Sequence, residues 1–576
     1  MKKQGQYLLV RPSQSENTYG AFAQEILRAE GLMGFVPVDL GRALLPELQP
    51  GDIVLVTRCF LTRQESAGLL EAAAAGVSLA FLQPQLSLVE QAGGRPACRV
   101  INPGYLRVSA GFPGGGEVIQ THVPINCVNE PVTGDSWTVP ATAITSDKKE
   151  SGFSAVAGLE YGRGRIAFFF YDLAEAVARI RFGNPALASY VTLGEKWTWP
   201  HAGDLFAGHL DPDCADLPQA DIHGQLLAKV LTDLSAAPLG RFWYYEDGGQ
   251  RSSAVLESDE DGASPAQIET IASVVEQYHG SDTFYLMRDS TKMSRAQVDA
   301  LRARGHTFGP HVNPRGRPEE LYFAVPAAVQ EETGEFTERF GAPSRTLQCH
   351  CAPWLGYMSQ VPQQVRSGYR LLFAYLSVPK RNWARYMCGS GRPMKFFDND
   401  GLLHDCWQQP VTIMDDSTLA EKLGSEPEAS LREFETKLQA ALQSNHTSFA
   451  ILSHPTAFCT FSRRVMEGCF SRFAADGVPI YNGDRWCDFL DRRWAVRLEQ
   501  GVGRDEHLMY IVSNLSGRLP LMIPLRNGKV GENWSVEVNG ARALFTIYRR
   551  LEESYLFVEL EGVDPDSSIR VVIRRT

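Results

Sequence analysis

The chain has 576 residues, of which 44% are hydrophobic and 21% charged, and its 56 basic and 67 acidic side chains leave a net charge of −11. That length exceeds what one hydrophobic core organises and predicts about three or four domains. The acidic balance, with no long basic run, argues against nucleic acid as a partner, since such binding rests on concentrated Lys and Arg against phosphate.

The opening, "MKKQGQYLLVRPSQSENTYG", has no continuous apolar stretch and no small-residue cleavage site, so it does not read as a signal peptide. No window reaches the ~20 apolar residues of a membrane helix. The nearest, "GRIAFFFYDLAEAVARI", is broken by Asp172, Glu175 and Arg179. The eleven cysteines are scattered without a CxxC pair, which predicts reduced thiols and a cytoplasmic protein.

"QYLLV" near residue 8, "DIVLVTR" at 52–58 and "VSLAFLQ" at 77–83 read as strands. Helical stretches at Tyr19 to Glu30 and "RQESAGLLEAAAAG" separate them, which predicts a parallel, helix-covered sheet. A more β-rich part follows from about 98 to 170, and "HGQLLAKVLTDLSA" at 223–236 closes the unit near Pro238. The layout resembles the flavodoxin-like domains of the glutamine-amidotransferase-like, ThuA type. Catalytic members of that class carry Gly-x-Cys-x-Gly after a central strand. Here Gln83-Pro84 stands in that place and Cys59 lacks flanking glycines, so a non-catalytic domain is expected.

Alternation resumes with "SSAVLES", "DTFYLM", "RLLFAYLSV" and "SFAILSHP" as strands, and with helices such as "SPAQIETIASVVEQYHG" and "SRAQVDALRARG". In the first helix Ser264 is the expected N-cap and Pro265 the first residue, with Ile268, Ile271, Val274 and Val275 on one face. Strand–helix repetition over this length has the size of an α/β barrel. The last 85 or so residues change to short alternating strands with turns at "RNGKVG" and "VNGAR", which predicts a small β-sandwich. The expected fold class is therefore α/β: residues 1–242 flavodoxin-like, 243–492 a distorted (β/α) barrel, and 493–576 a β-sandwich.

Four segments carry candidate chemistry. "AVLESDEDGAS" ends an apolar strand in Asp259, Glu260 and Asp261, and three adjacent carboxylates do not stay buried and ionised without a cation or a shared proton. On extended chain Asp259 and Asp261 share a face and Glu260 lies opposite. "GHTFGPHVNP" contributes His306 and His311, and "QCHCAPWLGY" contributes His350 with Trp354 and Tyr357 beyond it. "AILSHPTAF" places His454 at a strand's end, suited to general acid–base work. The blander account of the same residues is a solvated acidic turn and hydrogen-bonded core histidines.

In this order the segments resemble the polysaccharide deacetylase superfamily, the NodB-homology or carbohydrate esterase family 4 proteins, over roughly residues 243 to 492. The family's Thr-Phe-Asp-Asp-Gly is matched by Ser258-Asp259-Glu260-Asp261-Gly262, its Gly-His-x-x-x-x-His by Gly305, His306 and His311, and its late Leu-His by Leu452-Ser453-His454. Three departures stand out, the first being Glu260 in the place of the catalytic-base aspartate if Asp261 is the metal ligand. Arg315 occupies the place of a second metal histidine, and Cys351-Ala352-Pro353-Trp354 replaces Arg-x-Pro-Tyr.

The resemblance implies a divalent metal, zinc with cobalt or nickel as alternatives, held by Asp261 (or Asp259) and His311, with His350 expected to supply the missing ligand. Asp259 or Glu260 would take a proton from water, and His454 would protonate the leaving group. Trp354, Tyr357 and Arg315 would face a sugar. The implied function is a metal-dependent carbohydrate N-deacetylase acting on C–N bonds. Two alternatives stay open: an inactive barrel that binds a glycan, and a glycoside hydrolase using Asp405 or Asp415-Asp416.

Overall fold

The computed structural model describes residues 2–11, 18–40, 47–129, 138–189, 200–314, 321–376, 386–415, 427–503, 507–525, 534–550, 553–564 and 566–575. Arg315 and Asp416 lie outside the described residues.

The N-terminal part is built on a nine-stranded sheet. Val36–Asp39, Gln6–Val10, Ile53–Val56, Ser78–Leu82 and Gly164–Phe169 run parallel, and four antiparallel strands continue from the last of these. Strands such as "IVLV" and "SLAFL" are buried along their whole length, as a sheet covered on both faces requires. At the turn after Ser78–Leu82, Gln83 is held at φ 42, and no thiol stands there.

The central part is a curled sheet, parallel except for Met394–Phe397 at one edge. Ala254–Asp259 lies in the middle, paired with Thr283–Leu286 on one side and Phe449–Ser453 on the other. Beyond Thr283–Leu286 come Thr307–Val312, Thr346–Cys349 and Leu371–Leu372. Beyond Phe449–Ser453 comes Val411–Met414. A bridge between Leu376 and Val411 brings the two ends of this path together. Helices cover the outside. Pro265–Gln277 starts at Ser264, whose hydroxyl accepts from the Gln267 amide while Gln267 reaches back to the Ser264 amide, and it buries Ile268, Ile271, Val274 and Val275.

Two antiparallel sheets of six and four strands form the C-terminal part and share one apolar core with the inside of the barrel. Both recruit chain from elsewhere. Lys2–Lys3 pairs with Arg497–Val502, and Arg241–Phe242 pairs with Leu521–Leu525. Two-residue strands carry no periodic signal, so the sequence reading ends the first unit where the structure pairs it with the last. A second continuous core joins the N-terminal sheet to Val312, Trp354, Tyr375 and Phe396 of the central part. Among the described residues no helix is long and apolar enough to cross a membrane.

Candidate metal and acid–base centre

Parallel strands lay their carboxyl ends side by side, and five of those ends deliver the cluster. Asp259 closes Ala254–Asp259, His311 sits in Thr307–Val312, and His350 directly follows Thr346–Cys349. Asp415 follows Val411–Met414, and His454 follows Phe449–Ser453.

The acidic turn splits as strand alternation dictates. Asp259 faces the mouth and Glu260 does not: its Oε2 accepts the Met287 amide at 3.1 Å, tying the turn to the neighbouring strand. The chain then turns through a left-handed Asp261 (φ 46) and Gly262 (φ 77), which returns the Asp261 carboxylate to the mouth. Glu260, expected as a possible proton acceptor, is thus not brought to the cluster.

Three donor atoms form a triangle. Asp261 Oδ1 lies 3.3 Å from His311 Nε2 and 3.3 Å from His350 Nδ1, and the two ring nitrogens are 3.3 Å apart. Among the described residues this is the group of His, Cys, Asp and Glu side chains whose ligand atoms converge closely enough for a metal. A tetrahedral zinc site with bonds of about 2.0–2.1 Å separates its donors by about 3.3–3.4 Å, so the triangle has the dimensions of one face of such a site. The second ring nitrogen of His311 supports the same assignment. Its Nδ1–H donates to the Gln348 carbonyl at 3.3 Å, which leaves the Nε2 lone pair free toward the triangle.

Electrostatics separate the two aspartates. Burial opposes ionisation of Asp261, but the hydrogen bonds from His311 and His350 outweigh it and hold its carboxyl well below the usual carboxylate range. Burial pushes Asp259 up to about 6, against the pull of His311 and His454. His350 is raised to about 10 by its hydrogen bonds to Asp261 and then Cys351.

His454 forms the opposite wall. Its Nδ1–H donates to Asp415 Oδ1 at 2.9 Å, and Asp415 Oδ2 accepts from the Ser462 hydroxyl at 2.9 Å. The ring therefore presents Nε2 to the cluster, 4.0 Å from Asp259 Oδ2 and 3.9 Å from Asp261 Oδ2. In sequence Asp415 is a candidate only for a glycosidase carboxylate, and nothing local pairs it with His454. The signal available was a polar residue after an apolar strand, as at His454.

The N-terminal part braces the His350 turn. Cys351 and Ala352 both adopt left-handed backbone (φ 60 and 43), a costly arrangement for non-glycine residues that neighbouring chain must hold. The Trp354 amide donates to the Pro200 carbonyl at 2.8 Å, His201 bridges Pro353, and His201 Nδ1 lies 3.3 Å from the Ala352 carbonyl.

Three expected participants stand elsewhere. His306 is a core histidine: its Nδ1 accepts the Asp282 amide at 3.1 Å and its Nε2–H donates to Glu276 at 2.9 Å. Trp354 and Tyr357 are buried, 1% and 5% exposed, so they offer no face to a sugar. Trp354 packs on Tyr375 and Phe396 and donates its Nε1–H to the Tyr357 carbonyl. Trp354→Ala is accordingly expected to cost about 3–5 kcal/mol in denaturant unfolding. A substrate-facing tryptophan would instead raise KM and leave stability unchanged.

No family model matches the chain, and no curated protein matches it. Solved structures similar to it include a protein described as a polysaccharide deacetylase from Mycobacterium smegmatis, 11% identical, with 44% of this chain on 94% of that one at a TM-score of 0.34. Another is a CE4 esterase from Streptococcus mutans, 14% identical, with 41% on 87% and a TM-score of 0.26. An exo-beta-1,4-mannosidase from Opitutaceae bacterium strain TAV5 is 14% identical, with 30% on 32% and a TM-score of 0.23. Likeness this remote transfers no reaction to the chain, and the geometry of the cluster decides which chemistry it supports.

Proposed function

We propose that the chain is a metal-dependent hydrolase of amide bonds, and specifically an N-deacetylase acting on an N-acetylated carbohydrate. The observation that carries this reading is the triangle of Asp261, His311 and His350 donors flanked by a buried carboxylate, Asp259, and a carboxylate-oriented imidazole, His454.

Asp261, His311 and His350 would hold the metal. A divalent metal there supplies Lewis-acid chemistry, polarising a carbonyl and making water a competent nucleophile near neutral pH. Asp259 takes the proton that the attacking water gives up as its oxygen adds to the acyl carbon. His454 Nε2 delivers a proton to the leaving nitrogen as the C–N bond breaks, with Asp415 fixing the ring and stabilising its charged form. The products are acetate and a free amine. The chain's net negative charge does not hold back a cationic amino sugar.

The described carboxylates offered to a glycosidase are both engaged. Asp415 is engaged by His454 and Ser462, and Asp405 by Lys395 at 2.6 Å and by Arg370. The test is acetate release from N-acetylated oligosaccharides by chelator-treated protein, before and after reloading with zinc, cobalt or nickel. Release that requires metal, without new reducing ends, is the expected result. New reducing ends would make the protein a glycosidase, and binding without turnover would make it an inactive glycan-binding barrel.

A further inference from the structure

A second polar centre shares no residue with the acid–imidazole cluster and lies where the N-terminal, central and C-terminal parts meet. A cavity of about 40 Å³ there is lined by Arg28, Asp221, Tyr244, Arg392, Arg493 and Trp494 among others. A water needs roughly 10–15 Å³ by the same measure, so the space admits a few waters or one small anion.

The charges around it do not cancel. The guanidiniums of Arg28, Arg181, Arg241, Arg392 and Arg493 gather with four carboxylates, those of Glu25, Glu30, Asp221 and, acting on Arg241, Glu553. Except for Arg493 and Glu553, all of these are at most 7% exposed. Nearby lysines do not alter the balance, since Lys395 is closed on Asp405 at 2.6 Å and Lys229 on Asp233 at 2.5 Å, with Glu553 a further 3.1 Å partner of Lys229. The centre keeps an excess of one positive charge.

Donors are also left over. Arg392 lies over the Tyr244 ring, its Cζ 4.1 Å from the centroid, and reaches Glu30 at 2.8 Å and Asp221 at 3.2 Å, both through Nη2. Its Nε and Nη1 are buried without a partner, and so is the Nε of Arg28. Arg493 is spent on carbonyls of Trp243, Arg28 and Ala29 at 2.8–3.1 Å. Buried water would satisfy the spare N–H groups but not the excess charge. A small anion satisfies both, because guanidinium–oxyanion hydrogen bonds are charge-assisted and a buried uncompensated charge is costly.

We propose that this cavity binds one small oxyanion, of phosphate or carboxylate size, held by Arg392 with Arg28 beside it. The anion would tie the three parts of the chain together at a point that shares no residue with the metal centre. The test uses full-length protein in a buffer whose only anion is gluconate, titrated calorimetrically with inorganic phosphate and, separately, with acetate.

Saturable binding of one anion per chain is expected, with thermal unfolding moved upward by a few degrees and levelling off at saturation. Arg392→Gln is expected to weaken binding at least about 10-fold. Arg392→Lys keeps the charge, and is expected to bind with reduced affinity and so to serve should the glutamine variant fail to fold. His350→Ala is expected to bind as wild type does, which excludes the metal centre as the anion's site. Tighter phosphate than acetate would mark an inorganic oxyanion, and the reverse a carboxylate. Absence of saturable binding, or equal binding by wild type and Arg392→Gln, would overturn the proposal. So would a Tm that climbs without levelling off in both proteins, the signature of an excluded salt.

Discussion

His454→Ala is expected to lower kcat/KM for acetate release by about 10²–10⁴-fold, the usual contribution of a positioned general acid, while the metal content stays that of the wild type. The expectation follows from how little freedom the ring has. Asp415 holds Nδ1 at 2.9 Å, Ser462 holds Asp415, and the Nε2 edge stands 3.9–4.0 Å from both cluster aspartates. Asp415→Asn retains the shape and removes the ionised acceptor. It is expected to fall between wild type and His454→Ala, because an outer partner of this kind contributes about 10–100-fold. Steady-state acetate release by the two variants, beside their metal content, checks both values. Unchanged turnover in His454→Ala would remove the imidazole from the reaction.

The second large effect concerns His350. The deacetylase-like motif asks for a histidine where this chain has Arg315, and the donor triangle is completed instead from a different strand's end. His350→Ala is expected to weaken metal binding by more than about 100-fold, since loss of an outer-shell partner alone costs 10–100-fold and His350 would coordinate the metal directly once its Nδ1 proton is released. Hydrolysis would fall with it at sub-saturating metal.

Much of this centre is legible in the sequence because parallel strands end where function collects. Apolar runs closing on Asp259 and His454 mark two of those ends, and a period of two separates Asp259 and Asp261 from Glu260; His311 and His350 stand out only as histidines in short polar-mixed segments. What escapes is information that local sequence does not carry. Asp415 and His454 are 39 residues apart and meet only because their strands pair. Trp354 and Tyr357 follow His350 closely, yet the left-handed turn at Cys351 and Ala352 sends them into the core beside Tyr375 and Phe396. Nothing in "QCHCAPWLGY" distinguishes a buried tryptophan from one facing a sugar. The short pairings of Lys2–Lys3 and Arg241–Phe242 lie below the length at which alternation is readable.

A metal held by Asp261, His311 and His350 is best sought by X-ray absorption at the zinc edge, on reloaded wild-type and His350→Ala protein. Nitrogen and oxygen neighbours at about 2.0–2.1 Å with two imidazoles are expected in the wild type, and one imidazole with most of the zinc lost in the variant. Identical spectra and zinc contents in the two proteins, or a sulfur neighbour at about 2.3 Å from Cys351, would contradict this ligand set.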